Sequence, residues 1–503
     1  MSSESLTDSD TPSNNGHRHG LDVEIPTIKI LLYTDAPDEI TPDDKRKTLG
    51  LAFMLEHLRA KEPAFAKLSI KWVSRNSSTT VHADQKLDKV FEDESSTGHP
   101  FDEIWFFGLH QGNKSNSSFG VFPGGPESEL TEPEVTLLKT WMSNESVGGG
   151  VLLTGDHNHE RPDDTIASTN AVCPGTAQER FLGRGRALGR CVPRAGQLRK
   201  WENEPTSHAE NSHDTVANSG FQQDRTPQEL ILWNVDADGN HDPNGQPHPL
   251  FAYRPGRWIQ VFPDHPHEGE LIVDLGAVNP NVWPGQTRPQ VVARGVDSRH
   301  ATLIDLVATY NGDIEDVGRI VADSSWHHYF NLNVKPFAHP GPEGSAADQI
   351  GQFYANLAVW LSPRRARTRM VHAMLWDLAT YTALMEPLGD IDTIGREANA
   401  ILREKASPCE SDELIQALVP ARYGKLQFHE GSVLSHLPSR ELLLGSILNR
   451  YHNEMIRAEK SDASYQPERI ENLIESGFSD ALKFQAAQLD QLASETLRLI
   501  ELE

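Results

Sequence analysis

The sequence predicts an α/β protein: a flavodoxin-like, doubly wound, mostly parallel sheet with a loop-rich insertion, followed by a C-terminal helical region. Three observations predict it. Short apolar, β-branched runs that end in polar residues alternate with segments of helical periodicity, the mark of parallel strands joined by helical crossovers. A stretch over 157–300, rich in Pro, Asn and His, interrupts that alternation before it resumes at 318–325. Strand signals then vanish past Ser362. The expected organisation is a disordered tail over 1–24, an α/β domain over 25–361 elaborated between 157 and 300, and a helical domain over 362–503.

Residues 1–24 hold mostly Ser, Asp, Thr, Asn and Gly, with too little to bury for a core. At Thr27 the run TIKILLYTD reads as a buried central strand. A helix follows, with Thr41-Pro42 as cap and first-turn proline and Leu51, Met54, Leu55 and Leu58 on one face. LSIKWVS (68–74) and DEIWFFG (102–108) are the next strands. Thr131 to Glu134 has capping-box spacing and leads a helix with Val135, Leu138 and Met142 in one stripe. GGGVLLTGD (148–156) is a fourth strand. Within the insertion, ELILWN (229–234), RWIQVF (257–262) and ELIVDL (270–275) read as strands. GRIVADSS (318–325) resumes the sheet, and a helix with Ile350, Phe353, Tyr354, Leu357 and Leu361 on its apolar face closes it. Helical periodicity then covers 364–385, 394–405, 439–460 and 467–502.

The chain has 503 residues with 46 Lys+Arg against 72 Asp+Glu, a net charge of −26, so phosphate repels it and nucleic acid is a poor partner. Its three cysteines, Cys173, Cys191 and Cys409, cannot build a disulfide framework or a four-cysteine zinc site. No leader pattern opens the sequence and no apolar run is long enough for a membrane span. A cytoplasmic protein with no membrane or nucleic-acid partner, acting on a small polar molecule, is expected.

Histidine is the unusual residue, with 22 copies. In an open parallel sheet, ligands sit beyond the carboxyl ends of the strands. Strand one runs into Asp35, the third into His110, and the fourth into Asp156-His157-Asn158-His159-Glu160. RWIQVF runs into Asp264-His265-Pro266-His267-Glu268, and RIVAD into Trp326-His327-His328. Asp-His-x-His-Glu therefore occurs twice. Paired imidazoles flanked by carboxylates can chelate a borderline metal such as zinc, which makes His157, His159, His265 and His267 candidate ligands of a divalent metal. Neutral imidazole is equally a proton shuttle near pH 7. The candidate catalytic set is Asp156, His157, Glu268, His327 and His328, with Asp156 or Glu268 activating water. No His-Glu-x-x-His helix motif is present, and a metal-free His/Asp cluster around a polar ligand explains the same residues.

The order KILLYTD, DEIWFFG, a capped helix, GGGVLLTGD and a late strand followed by histidines resembles the class I glutamine amidotransferase-like superfamily, especially its ThuA-like, trehalose-utilisation branch. The likeness spans roughly residues 27–361, with 157–300 poorly matched. The PDHPHEGE and DSSWHHYFNLN segments also resemble those of bacterial proteins that carry no assigned activity. Catalytic members of the superfamily have a Gly-x-Cys-x-Gly elbow and a later histidine. Thr154-Gly155-Asp156-His157 stands at the corresponding turn, without the thiol, while His327 or His328 sits where the family's histidine is expected. The resemblance thus implies the fold but not glutamine hydrolysis through a thiolate.

Other features carry less. Cys191 lies among Arg186, Arg190 and Arg194, which favours a thiolate, though a buried structural Cys is the commoner case. The run Arg180 to Lys200 holds seven bases and no acid, and Arg194 within it could grip a carboxylate or phosphate; acidic neighbours in the fold explain the run as well. The loop over 112–129 could close over a ligand or be a plain surface connection. Two functions are compatible: a hydrolase-type enzyme, metal-assisted or not, or a non-catalytic amidotransferase-like ligand-binding or scaffold protein. In the second reading the C-terminal helices mediate assembly, including a homo-oligomer.

Overall fold

The computed structural model describes residues 25–34, 44–46, 50–74, 85–94, 100–107, 132–144, 148–154, 197–201, 227–234, 246–263, 269–272, 289–297, 302–339, 341–381, 390–420, 438–458 and 467–501. In chain order its strands are β1 (Thr27–Thr34), β2 (Lys67–Ser74), β3 (Glu103–Phe107), β4 (Gly150–Thr154), β5 (Gln197–Trp201), β6 (Gln228–Glu229) and β7 (Ile231–Leu232). There follow β8 (Ala252–Arg254), β9 (Arg257–Trp258), β10 (Val261–Phe262), β11 (Gly269–Ile272), β12 (Gln290–Asp297), β13 (Thr302–Tyr310) and β14 (Ile320–Asp323).

Eight of them form one mixed sheet in the order β2-β1-β3-β4-β14-β13-β12-β7. The five from β2 to β14 are mutually parallel, and β13, β12 and β7 continue antiparallel. Alternation along the parallel strands divides the core in two. Ile28, Ile30, Leu32, Trp105, Phe107 and Leu152 face the layer that contains helix α1 (Ala52–Ala60). Leu31, Tyr33, Ile104, Phe106, Val151 and Leu153 face helices α2 (Leu87–Glu94) and α3 (Glu132–Met142). After β14 a short 3₁₀ turn leads into the single-turn helix α4 (Asn331–Val334). Helix α5 (Ala346–Leu361), capped by Ser345 Oγ on the Asp348 amide, then packs beside α1.

The sheet is therefore α/β and mostly parallel, as its apolar runs predict, with helices on both faces. Several elements depart from the sequence reading. Helix α1 starts at Ala52, so Thr41-Pro42 does not cap it. RWIQVF is split between two partners. Its first half turns back on β8 through Gly256 (φ +71°), and its second half pairs with β6, with the change made at Ile259-Gln260. The β12–β13 hairpin, unmarked in the sequence, extends the sheet antiparallel beyond β14.

Past Ser362 the described chain is helical: α6 (Arg364–Ala379), α7 (Ile391–Lys405), α8 (Pro408–Ala417), α9 (Arg440–Ala458) and α10 (Pro467–Glu501). Their apolar faces, including Met370, Met374, Leu402, Leu414, Ile447 and Phe478, join the same buried cluster as α1 and α5. A buried ionic network fastens them to the sheet. Glu413 of α8 accepts from Arg319 (2.6 Å) and Arg367 (2.9 Å), and Asp313 pairs with both guanidiniums. Arg319 also donates to the Trp360 carbonyl at 2.8 Å. Among the described residues, no helix is long and apolar enough to cross a membrane.

Candidate functional site at the carboxyl ends of the sheet

The parallel register fixes where each loop leaves the sheet. Thr34 ends β1 opposite Phe107 of β3, and Thr154 ends β4 opposite Asp323 of β14. All four are buried. Beyond Asp323 the chain makes its 3₁₀ turn through Trp326, His327 and His328. Both histidines are buried, at 3% and 1% exposure.

Asp323 organises the turn. Its Oδ1 accepts from the Ser325 amide (3.1 Å) and from His328 Nδ1 (2.7 Å), and its Oδ2 accepts from the Tyr329 hydroxyl (2.8 Å). Burial, and then the Asp323 charge, push the Tyr329 phenol well above its ordinary range, so it stays a donor. With an acceptor-only carboxylate facing it, His328 carries a proton on Nδ1. His327 repeats the arrangement, with Nδ1 2.8 Å from Asn333 Oδ1. A ring oriented through Nδ1 by a side-chain oxygen is a feature of both metal-binding and general-base histidines.

Other elements clamp the turn. From α5, Tyr354 donates to the His328 carbonyl at 2.5 Å. Asn331 Oδ1 accepts from the Phe53 amide at 3.1 Å, Asn331 Nδ2 donates to the Asp44 carbonyl at 3.1 Å, and the Asn331 amide donates to Gly50 O at 2.8 Å. The segment between β1 and α1 is thus tied to the segment after β14. The Phe262 ring lies 4.9 Å from the His328 ring, and Phe107 packs on Tyr329 at 5.4 Å.

Of the residues selected from sequence, His327 and His328 are brought together in this turn. Asp35, His110, Asp156, His157, His159, Arg194, His265, His267 and Glu268 lie outside the described residues, as do Cys173 and Cys191. Two described residues that precede these segments in the chain have defined neighbours. Thr154 is paired with Asp323, and Phe262 lies against His328.

Sequence reasoning missed Asp323, Tyr329, Asn333 and Tyr354. The available signal was an acid five residues before His328 and an amide six after His327. Three other histidines serve packing, His57 and His372 buried and His248 half-buried. His57 joins its Nε2 to the Phe337 carbonyl at 2.6 Å, and burial lowers its pKa. His248 accepts the Leu250 amide, and burial together with nearby Arg319 lowers its pKa to about 3. Burial lowers His372 to about 4. Among the described residues, no group of three or more His, Cys, Asp or Glu side chains could hold a metal ion. Cys409 is buried, and its thiol is pushed well above the ordinary range, chiefly by burial.

The class defined so far is an α/β protein with a mixed, mostly parallel sheet and a histidine–carboxylate pair at its carboxyl edge. Comparison with protein-family models, curated proteins and solved structures gave no match.

Proposed function

We propose that this chain is a hydrolase-type enzyme acting on a small polar substrate at the carboxyl edge of a flavodoxin-like domain of the amidotransferase-like kind. The strand order β2-β1-β3-β4-β14 supports the fold reading, since it follows the flavodoxin pattern 2-1-3-4-5 with β14 as the fifth strand. So does the division of helices, with α1 and α5 on one face and α2 and α3 on the other.

The observation that carries the chemistry is the Asp323–His328 pair. Asp323 holds the ring as its Nδ1–H tautomer, so His328 Nε2 takes a proton from water or a substrate hydroxyl, and the carboxylate stabilises the imidazolium that forms. Asn333 prepares His327 for the same exchange or for donating to a leaving group. With no cysteine among residues 154–157, attack is by activated water. In the metal-assisted form, His157, His159, His265 and His267 would hold a divalent ion, zinc first, which would supply Lewis acidity at the site, and Asp156 or Glu268 would be the base.

A panel of ester, amide and phosphoester substrates, with metal analysis of untagged protein, tests this. Hydrolysis by the wild type that falls about 100-fold or more in Asp323→Asn and in His328→Ala, each shown by circular dichroism to be folded at the assay temperature, supports it. Equal rates in wild type and both variants overturn it.

A further inference from the structure

Strand β2 ends the sheet on one side, and among the described residues it pairs with β1 alone. The Lys67 amide donates to the Pro26 carbonyl at 2.9 Å, so in the regular parallel ladder residues 67, 69, 71 and 73 bond β1. The amides and carbonyls of Leu68, Ile70, Trp72 and Ser74 therefore point outward, along an edge of the kind that templates a further strand. One outward donor already meets an acid: the Leu68 amide donates to Glu62 Oε1 at 2.8 Å. The two faces of this edge differ. Leu68, Ile70 and Trp72 lie half-buried against the core layer that contains α1. Lys67, Ser69 and Lys71 occupy the opposite face. Register sets Lys29 of β1 beside Ser69, which puts its Cα about 8 Å from those of Lys67 and Lys71. Residues 27–31 and 67–71 contain no acid, and neither Lys29 nor Lys67 makes an ion pair among the described residues. Like charges gathered at this spacing repel one another, and an incoming anion relieves that repulsion.

We infer that the outer edge of β2 binds an extended segment of a partner protein as an added strand, with acidic residues at alternate positions and apolar residues between them. The inference is independent of the catalytic reading, since β14 lies on the far side of β1, β3 and β4. Main-chain pairing with the outward groups holds such a strand, and its alternating side chains give selectivity. Its acids meet Lys29, Lys67 and Lys71, while its apolar residues extend the face of Leu68, Ile70 and Trp72. Charge selects the occupant. The chain as a whole carries −26, but residues 59–74 hold four bases, Arg59, Lys61, Lys67 and Lys71, against the single acid Glu62, and Lys29 adds a fifth base beside them. Exposed charges more than about 8 Å away are screened at physiological salt, so an acidic strand at this edge meets a positive field. A second copy of this chain is a poor occupant, because antiparallel pairing of β2 with itself about Ser69 sets Lys67 opposite Lys71.

Fluorescence anisotropy of the full chain with a labelled peptide of alternating Glu and Val tests this. Saturable binding is expected, weakened at least about 10-fold in Lys29→Glu/Lys67→Glu and kept in Lys29→Arg/Lys67→Arg, with both variants folded by circular dichroism. The same peptide N-methylated at every second residue, which keeps its charge but cannot complete a strand ladder, is expected not to bind. Amide exchange supplies a further readout: the Ile70 and Trp72 amides slow when the unmethylated peptide is added. No saturable binding up to about 500 μM overturns the inference. So does equal binding of the N-methylated peptide, which would mean attraction by charge alone, or binding that survives Lys29→Glu/Lys67→Glu undiminished.

Discussion

Glu410 should make the fold more stable at pH 5 than at pH 8. Its carboxylate, buried at the start of α8, accepts the Ala64 and Phe65 amides at 2.9 Å each and so fixes the turn before β2 to the helical region. Burial outweighs those two hydrogen bonds and raises its pKa from 4.5 to about 7. The folded state therefore binds this proton more tightly than the unfolded chain does. The contribution is complete below about pH 4.5 and is lost as pH rises through about 7, a total of about 3 kcal/mol from a shift of about 2.5 pKa units. Glu410→Gln keeps a neutral side chain of the same shape but sets an NH₂ against one of the two amides, at a cost of about 1 kcal/mol at pH 5. At pH 8 the balance reverses, and the variant is the more stable by about 2 kcal/mol. Urea unfolding of both proteins at the two pH values measures this, because every other titrating group cancels in the double difference. A wild-type-minus-variant difference that is the same at pH 5 and pH 8 refutes the reasoning.

The remaining predictions are structural. Glu413→Ala removes one of the two carboxylates shared by Arg319 and Arg367, each under 5% exposed, leaving them Asp313, and should cost about 3 kcal/mol in urea unfolding. Gly395→Ala places a Cβ 1.7 Å from the Glu441 carbonyl where α7 crosses α9; no rotamer change relieves a backbone clash, so a melting temperature within 2 °C of wild type would contradict that packing, and a loss of about 1–3 kcal/mol is expected.

What could be read from sequence follows from which forces leave a pattern. β1, β3, β4 and β14 are buried on both faces, and such strands read as unbroken apolar runs. The β12–β13 hairpin is antiparallel and less covered, with Leu303 at 48% exposure and Arg294 paired to Asp305, so its pattern is diluted. Helix α8 was missed for another reason. Its inward residues include Glu410 and Glu413, buried because they meet backbone amides and arginines distant in sequence. Hydrophobic periodicity does not register a buried acid. Asp323 was passed over likewise: an acid at a strand's end reads as a turn former until its partners His328 and Tyr329 fold back on it.

The histidine turn sits where it does because the sheet, not the turn, sets its position. Asp323 is held by the β4 register, and Asn331 binds the segment between β1 and α1. Tyr354 comes from α5, and Phe262 from a strand of the insertion. Each contact comes from a different part of the chain, so none can shift without disturbing the core beneath it. Catalysis by a base needs that rigidity, because a ring free to rotate would lose the tautomer on which proton abstraction depends. Under the proposed hydrolase function, substrate choice falls to the segments that follow Thr34, Phe107, Thr154 and Phe262. Changes in those segments should alter which molecule is accepted without altering the Asp323–His328 hydrogen bond. Changes to Asp323 should do the reverse, lowering kcat for every substrate alike.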